Sequence, residues 1–155
     1  DLRQGMLAEL FAIEKSPGLT DILEKRADIG FCLSKTSMSN LHVLSKGTSS
    51  ERPSELLSLK RFKVLLDKLK DYYDIIILDS PPVIHLPDSG VIGRYADKVL
   101  MVVQMEKTQR SDIIDAYSNL KQSNIDIGGV ILTGLKYYMP RSYYIYYYHM
   151  EMEAS

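Results

Sequence analysis

Residues 74–79 read DIIILD, four aliphatic side chains in a row between two aspartates. The run is too short for a typical helix and apolar on both faces, the pattern of a strand buried on both sides in a parallel sheet. Pro81 and Pro82 follow at once, so no ladder can continue and the chain must leave the sheet there. Two further runs, KVLMVVQ (98–104) and GGVILT (128–133), share this character. The three lie about 25 to 30 residues apart, the spacing of βαβ units.

Between the second and third runs, SDIIDAYSNLKQSN (111–124) sets Ile113, Ile114, Tyr117 and Leu120 at helical spacing, with Ser111 as N-cap. Upstream, PSELLSLKRFKVLLDKLKDYYD opens on Pro53 and carries leucines at three-and-four spacing, which predicts a helix or kinked pair. KGTSSERP (46–53) is the loop before it. GLTDIL (18–23) predicts a helical turn capped by Thr20, LAELFAI (7–13) another apolar face, and the short runs IGFCL and LHVL edge strands. The expected fold class is α/β, a mostly parallel sheet flanked by helices in three α/β/α layers.

Composition narrows the function. Nineteen basic residues nearly balance twenty acidic ones, so no net field favours nucleic acid or an anionic membrane. The single cysteine, Cys32, excludes an internal disulfide and a CxxC metal site and fits a reducing, cytoplasmic setting. No apolar run approaches the eighteen or so residues that span a bilayer, so a membrane link must come from another segment or partner. His42, His85 and His149 are too dispersed for a ligand set or a triad, and read as surface or loop histidines.

Asp79 ends the first apolar run, at the carboxyl edge where ligands bind in open α/β sheets. IIILDSPP thus has the form of a Walker B element holding Mg²⁺ beside nucleotide phosphates, and equally the form of a buried strand that happens to end on a polar residue. Asp88 and Ser89 read as the cap of a helix DSGVIGRYA in preference to phosphate-proximal groups, Lys107 and Arg110, at the expected ligand edge, as solvated loop charges, and Asp97 as the start of a strand. The chain ends differently. Tyr137, Tyr138, Tyr143, Tyr144, Tyr146, Tyr147 and Tyr148 crowd into twelve positions without helical or period-two order. Taken alone, such a cluster is a docking patch, because tyrosine offers large amphipathic area.

The succession DLR, GLTDIL, LHVLSKG, PSELL, YDIIILDSPPV, DSG, YADKVLMVV, GGVIL and a terminal tyrosine cluster resembles, along essentially the whole chain, the bacterial tyrosine kinases of capsule and exopolysaccharide synthesis. These belong to the deviant P-loop ATPases that include MinD- and ParA-like proteins. The resemblance implies a partial kinase domain over 1–135, P-loop NTPase-like, and a tyrosine-rich tail over 136–155. It implies that Asp1 and Arg3 match the second aspartate and the arginine of an hhhDxDxR motif, that Asp1 and Asp79 converge on Mg²⁺, and that Thr133 lies near the adenine of ATP. It further implies that the tail tyrosines are phosphoacceptors, presented to a neighbour in a homo-oligomeric ring at the inner face of the cell membrane, attached through a polysaccharide co-polymerase or adaptor segment.

Departures accompany the likeness. No GxxxxGK[ST] occurs in the 155 residues, so the phosphate cradle with its strand and helix is expected upstream of Asp1 and the chain is expected to be inactive alone. Thr133 and Arg52 stand where the family commonly has asparagine. A catalytically silent phosphoacceptor or interaction module, and a MinD/ParA-like ATPase, are the competing expectations.

Overall fold

The computed structural model describes residues 1–84 and 87–134. Helices dominate the first two thirds: α1 (Leu7–Leu10), α2 (Leu19–Leu23), α3 (Ile29–Cys32), α4 (Pro53–Ser58), α5 (Lys60–Leu69) and α6 (Asp88–Gly93). The strands β1 (Leu33–Lys35) and β2 (His42–Leu44) form an antiparallel pair between α3 and α4. After α6 come β3 (Val99–Gln104), α7 (Arg110–Gln122) and β4 (Ile127–Thr133), a βαβ unit whose strands pair in parallel, Met101 beside Val130 and Gln104 beside Thr133. The fold class is α/β, as expected.

The predicted kinked pair is α4 and α5. Pro53 takes the first helical position of α4, where a missing N–H costs nothing. Leu59, extended at ψ 139°, breaks the helix before α5 begins. Phe62, Leu65, Leu66 and Leu69 then recur at three-and-four spacing and are all buried. Phe62, with Leu2, Leu23, Leu56, Leu57, Leu66 and Ile92, makes the larger core, and its ring meets Tyr95 edge-on at 5.3 Å. Arg61 reaches across to donate to the Leu23 carbonyl, satisfying an acceptor that the end of α2 leaves open. A second core joins Met101 of β3, Ala116 and Leu120 of α7, and Ile125.

Several sequence expectations are corrected. Residues 75–80 enter no ladder: Ile76 and Leu78 lean on the larger core, while Ile75 and Ile77 are 77% and 87% exposed. A strand needs a hydrogen-bonding neighbour, and none of the described residues supplies one. In β3, Met101 packs with α7 and Val103 is also buried, but Leu100 and Val102 are exposed, so one face is covered rather than two. IGFC is a helical turn, not an edge strand, whereas HVL does form one. α7 begins at Arg110 with Gln109 as N-cap, displacing Ser111 from that role.

The segments around Gly18 and Thr48 are tied by Asp21, which is 4% exposed. Its carboxylate accepts from the Gly18 and Thr48 amides at 2.9 and 3.0 Å and pairs with Arg26 at 3.0 Å. Asp21, not Thr20, closes back on the start of α2, and the Thr20 hydroxyl donates instead to the Lys46 carbonyl. Gly47, at φ +83°, lies against both Asp21 and Gly18, and a Cβ at either glycine would collide with the other segment.

Candidate functional site

Residue 1 and residue 79 are neighbours: the Asp1 nitrogen donates to the Asp79 carbonyl at 2.6 Å. Asp1 sits at the head of a tight turn, its Oδ1 accepting from the Arg3 and Gln4 amides at 2.7 and 3.2 Å. That local closure is what short aspartate side chains favour. The Asp1 side chain is mostly covered, and that of Asp79 is half exposed. Asp79 ends the run DIIILD, and Pro81 and Pro82 restrict the exit of the chain.

Arg3 turns away from Asp1 toward Asp88, placing Nε 2.8 Å from Oδ2 and Nη2 3.1 Å from Oδ1, a two-pronged pair. Ser54, second residue of α4, donates to the same Asp88 Oδ1 and accepts from Arg3 at 3.3 Å. Asp88 is fully buried. Burial by itself would raise its carboxyl, but the bonds from Arg3 and Ser54 prevail and hold it below the usual carboxylate value. The capping role expected of Asp88 and Ser89 is therefore not what their side chains do. α6 follows Pro87 without a side-chain cap, and the Ser89 hydroxyl donates to the Pro81 carbonyl at 2.5 Å.

The arrangement brings together Asp1, Arg3 and Asp79 among the residues singled out from sequence, and adds Ser54, Asp88 and Ser89. Thr133 is elsewhere, at the end of β4, where its hydroxyl faces the Val103 carbonyl at 3.5 Å and its own carbonyl accepts from Met105. The Arg52 guanidinium makes an exposed pair with Glu55 at 3.6 Å. His85 and the seven clustered tyrosines lie outside the described residues.

Carboxylates are hard oxygen donors, and Asp1, whose residue meets Asp79, keeps a second oxygen beyond the one engaged by the turn. Among the described residues no group of three or more acidic, histidine or cysteine side chains could enclose a metal. The set therefore fits an ion that takes one or two protein carboxylates and completes its shell from water and phosphate, which is the habit of Mg²⁺. It does not fit a caged structural metal. No described helix is long and apolar enough to cross a membrane.

A family profile described as AAA domain matches residues 4–126. The tyrosine-protein kinase ptk of Acinetobacter johnsonii is 32% identical over 136 residues, 88% of this chain and 19% of that protein. The tyrosine-protein kinase wzc of Salmonella typhimurium is 30% identical over 155 residues, 97% of this chain and 22% of that protein. Among solved structures, the kinase domain of the Escherichia coli tyrosine kinase ETK aligns with a TM-score of 0.85 and 28% identity, covering 90% of this chain and 55% of that one. The chain thus spans about a fifth of these curated relatives' length. With the profile covering most of its residues, the chain belongs to the AAA domain family, and the relatives it resembles in sequence and structure are bacterial tyrosine-protein kinases.

Proposed function

We propose that the chain is part of a bacterial protein-tyrosine autokinase that transfers the γ-phosphate of ATP to its own tyrosines 137, 138, 143, 144, 146, 147 and 148. The observation that carries this reading is the meeting of residues 1 and 79, 78 positions apart in sequence, where the Asp1 nitrogen bonds the Asp79 carbonyl and lies 3.8 Å from the Asp79 carboxylate. Asp1 and Asp79 would hold Mg²⁺, which when bound neutralises charge on the phosphate oxygens. In the transfer a tyrosine oxygen bonds to the γ-phosphorus, the bond from that phosphorus to the β–γ bridging oxygen breaks, ADP leaves, and the phenolic proton passes to a base or solvent. Thr133, at the carboxyl end of β4, would lie toward the base of the nucleotide.

The cradle for the β- and γ-phosphates is a GxxxxGK[ST] loop, and the 155 residues contain none, so it would be supplied from outside them. Each phosphate placed on the tail adds nearly two negative charges, and several in twelve positions repel strongly. Repulsion of that kind would release a tail from a neighbour's site and so switch a ring assembly that controls polysaccharide polymerisation and export at the inner membrane face.

The missing loop also favours a second reading, an acceptor module phosphorylated by another kinase. Replacing the seven tyrosines by phenylalanine in the protein expressed from its native gene tests the first reading. Autophosphorylation is expected to fall to background, and an undiminished signal would overturn it. An Asp79→Asn variant that is still fully phosphorylated would favour the acceptor module.

A further inference from the structure

Asp88 and Ser89 are adjacent, almost wholly buried, and hold opposite halves of the candidate site. Through Arg3, Asp88 holds the turn built on Asp1; through the Pro81 carbonyl, Ser89 holds the segment that leaves Asp79. The Asp1 nitrogen bonded to the Asp79 carbonyl closes the circuit, so Asp1, Arg3, Asp88, Ser89, Pro81 and Asp79 form a ring of contacts. The Asp88 and Ser89 side chains are each committed to a neighbouring segment. Their own polar atoms are taken: both Asp88 oxygens by Arg3, one of them also by Ser54, and the Ser89 hydroxyl by Pro81.

We propose that Asp88 and Ser89 are positioning residues that fix the spacing of the Asp1 and Asp79 carboxylates, and thereby the geometry in which a divalent cation is held between them. This rests on reading Asp1 and Asp79 as metal ligands. The physical reason is that a buried hydroxyl or carboxylate is expensive to leave unpaired, so each keeps its loop at one distance. A dipeptide within one rigid helical turn has a fixed separation between its two side chains. Two loops that would otherwise move independently thus take their spacing from α6. Groups that orient metal ligands commonly matter about tenfold or more for metal affinity without touching the ion.

The test uses the 155-residue chain and Mn²⁺ alone, read by paramagnetic broadening of the backbone amide resonances of Arg3, Gln4, Asp79 and Ser80. Wild type is expected to lose these signals first. Ser89→Ala is expected to raise the Mn²⁺ concentration at half-broadening by about tenfold, with Ser89→Thr restoring it, at unchanged circular dichroism. Asp88→Asn is expected to do the same; should it not fold, the serine pair decides alone. Broadening of those four amides that is identical in wild type and Ser89→Ala overturns the positioning role and leaves the metal reading standing. No selective broadening in wild type overturns the metal reading and the positioning role with it.

Discussion

Replacing Asp21 by asparagine keeps the size of the side chain and removes the charge that two backbone amides and Arg26 address. Burial pushes this carboxyl up, but the amides of Thr48 and Gly18, together with Arg26, overcome it and bring the group from its ordinary 3.8 down to about 2. At about 1.4 kcal/mol per unit, that displacement corresponds to about 2 kcal/mol of folding stability. Because the folded value lies below the unfolded one, the contribution is complete above about pH 5 and is lost as pH falls through 4 toward 2. Urea titrations of wild type and Asp21→Asn at pH 7 and pH 2.5 measure it. The variant is expected to be less stable by about 2 kcal/mol or somewhat more at pH 7, with the gap shrinking by most of that amount at pH 2.5 and little change in m. A gap equal at the two pH values, or below about 0.5 kcal/mol at pH 7, would refute the ionic account of this loop.

Phe62→Ala empties the centre of the larger core, where the ring is 2% exposed and packed edge-on against Tyr95, and is expected to cost about 3–5 kcal/mol by denaturant titration. A loss under about 1 kcal/mol would mean that this cluster is not close-packed. ATP titrated calorimetrically into the 155-residue chain is expected to give no binding tighter than about 1 mM, since no phosphate-cradling loop is among its residues. Micromolar binding would contradict that view of the missing cradle.

Local chemistry explains which parts of the fold were legible. Pro53 at a helix start, leucines at three-and-four spacing, and the β-branched runs of β3 and β4 carry their signal within a dozen residues, and those elements appear where expected. DIIILD carries the same signal, yet a ladder depends on a neighbour that the run itself does not encode. The outward faces of Leu100 and Val102 reflect the same limit, because coverage of a sheet is a property of what packs on it.

The candidate site was half legible. Asp1, Arg3 and Asp79 stand out through motif and resemblance, while Asp88 and Ser89 look like a helix start because their partners are distant in sequence, Arg3 by 85 positions. The sequence signal that could have found them is DSG directly after Pro87, in the segment that leaves the Pro81–Pro82 turn. Asp21 was hidden similarly. Its spacing from Gly18 suggests a local cap, but the amide of Thr48, 27 positions on, makes it a knot between segments.

The most direct measurement is phosphotyrosine mapping by mass spectrometry on the protein expressed from its native gene, comparing wild type with Asp79→Asn. Wild type is expected to carry phosphate on several of the tyrosines between 137 and 148, and Asp79→Asn to lose it by a factor of 100 or so, as removal of a metal-holding carboxylate in phosphoryl transfer implies. A tail without phosphate in wild type, or one equally phosphorylated in Asp79→Asn, would contradict the account.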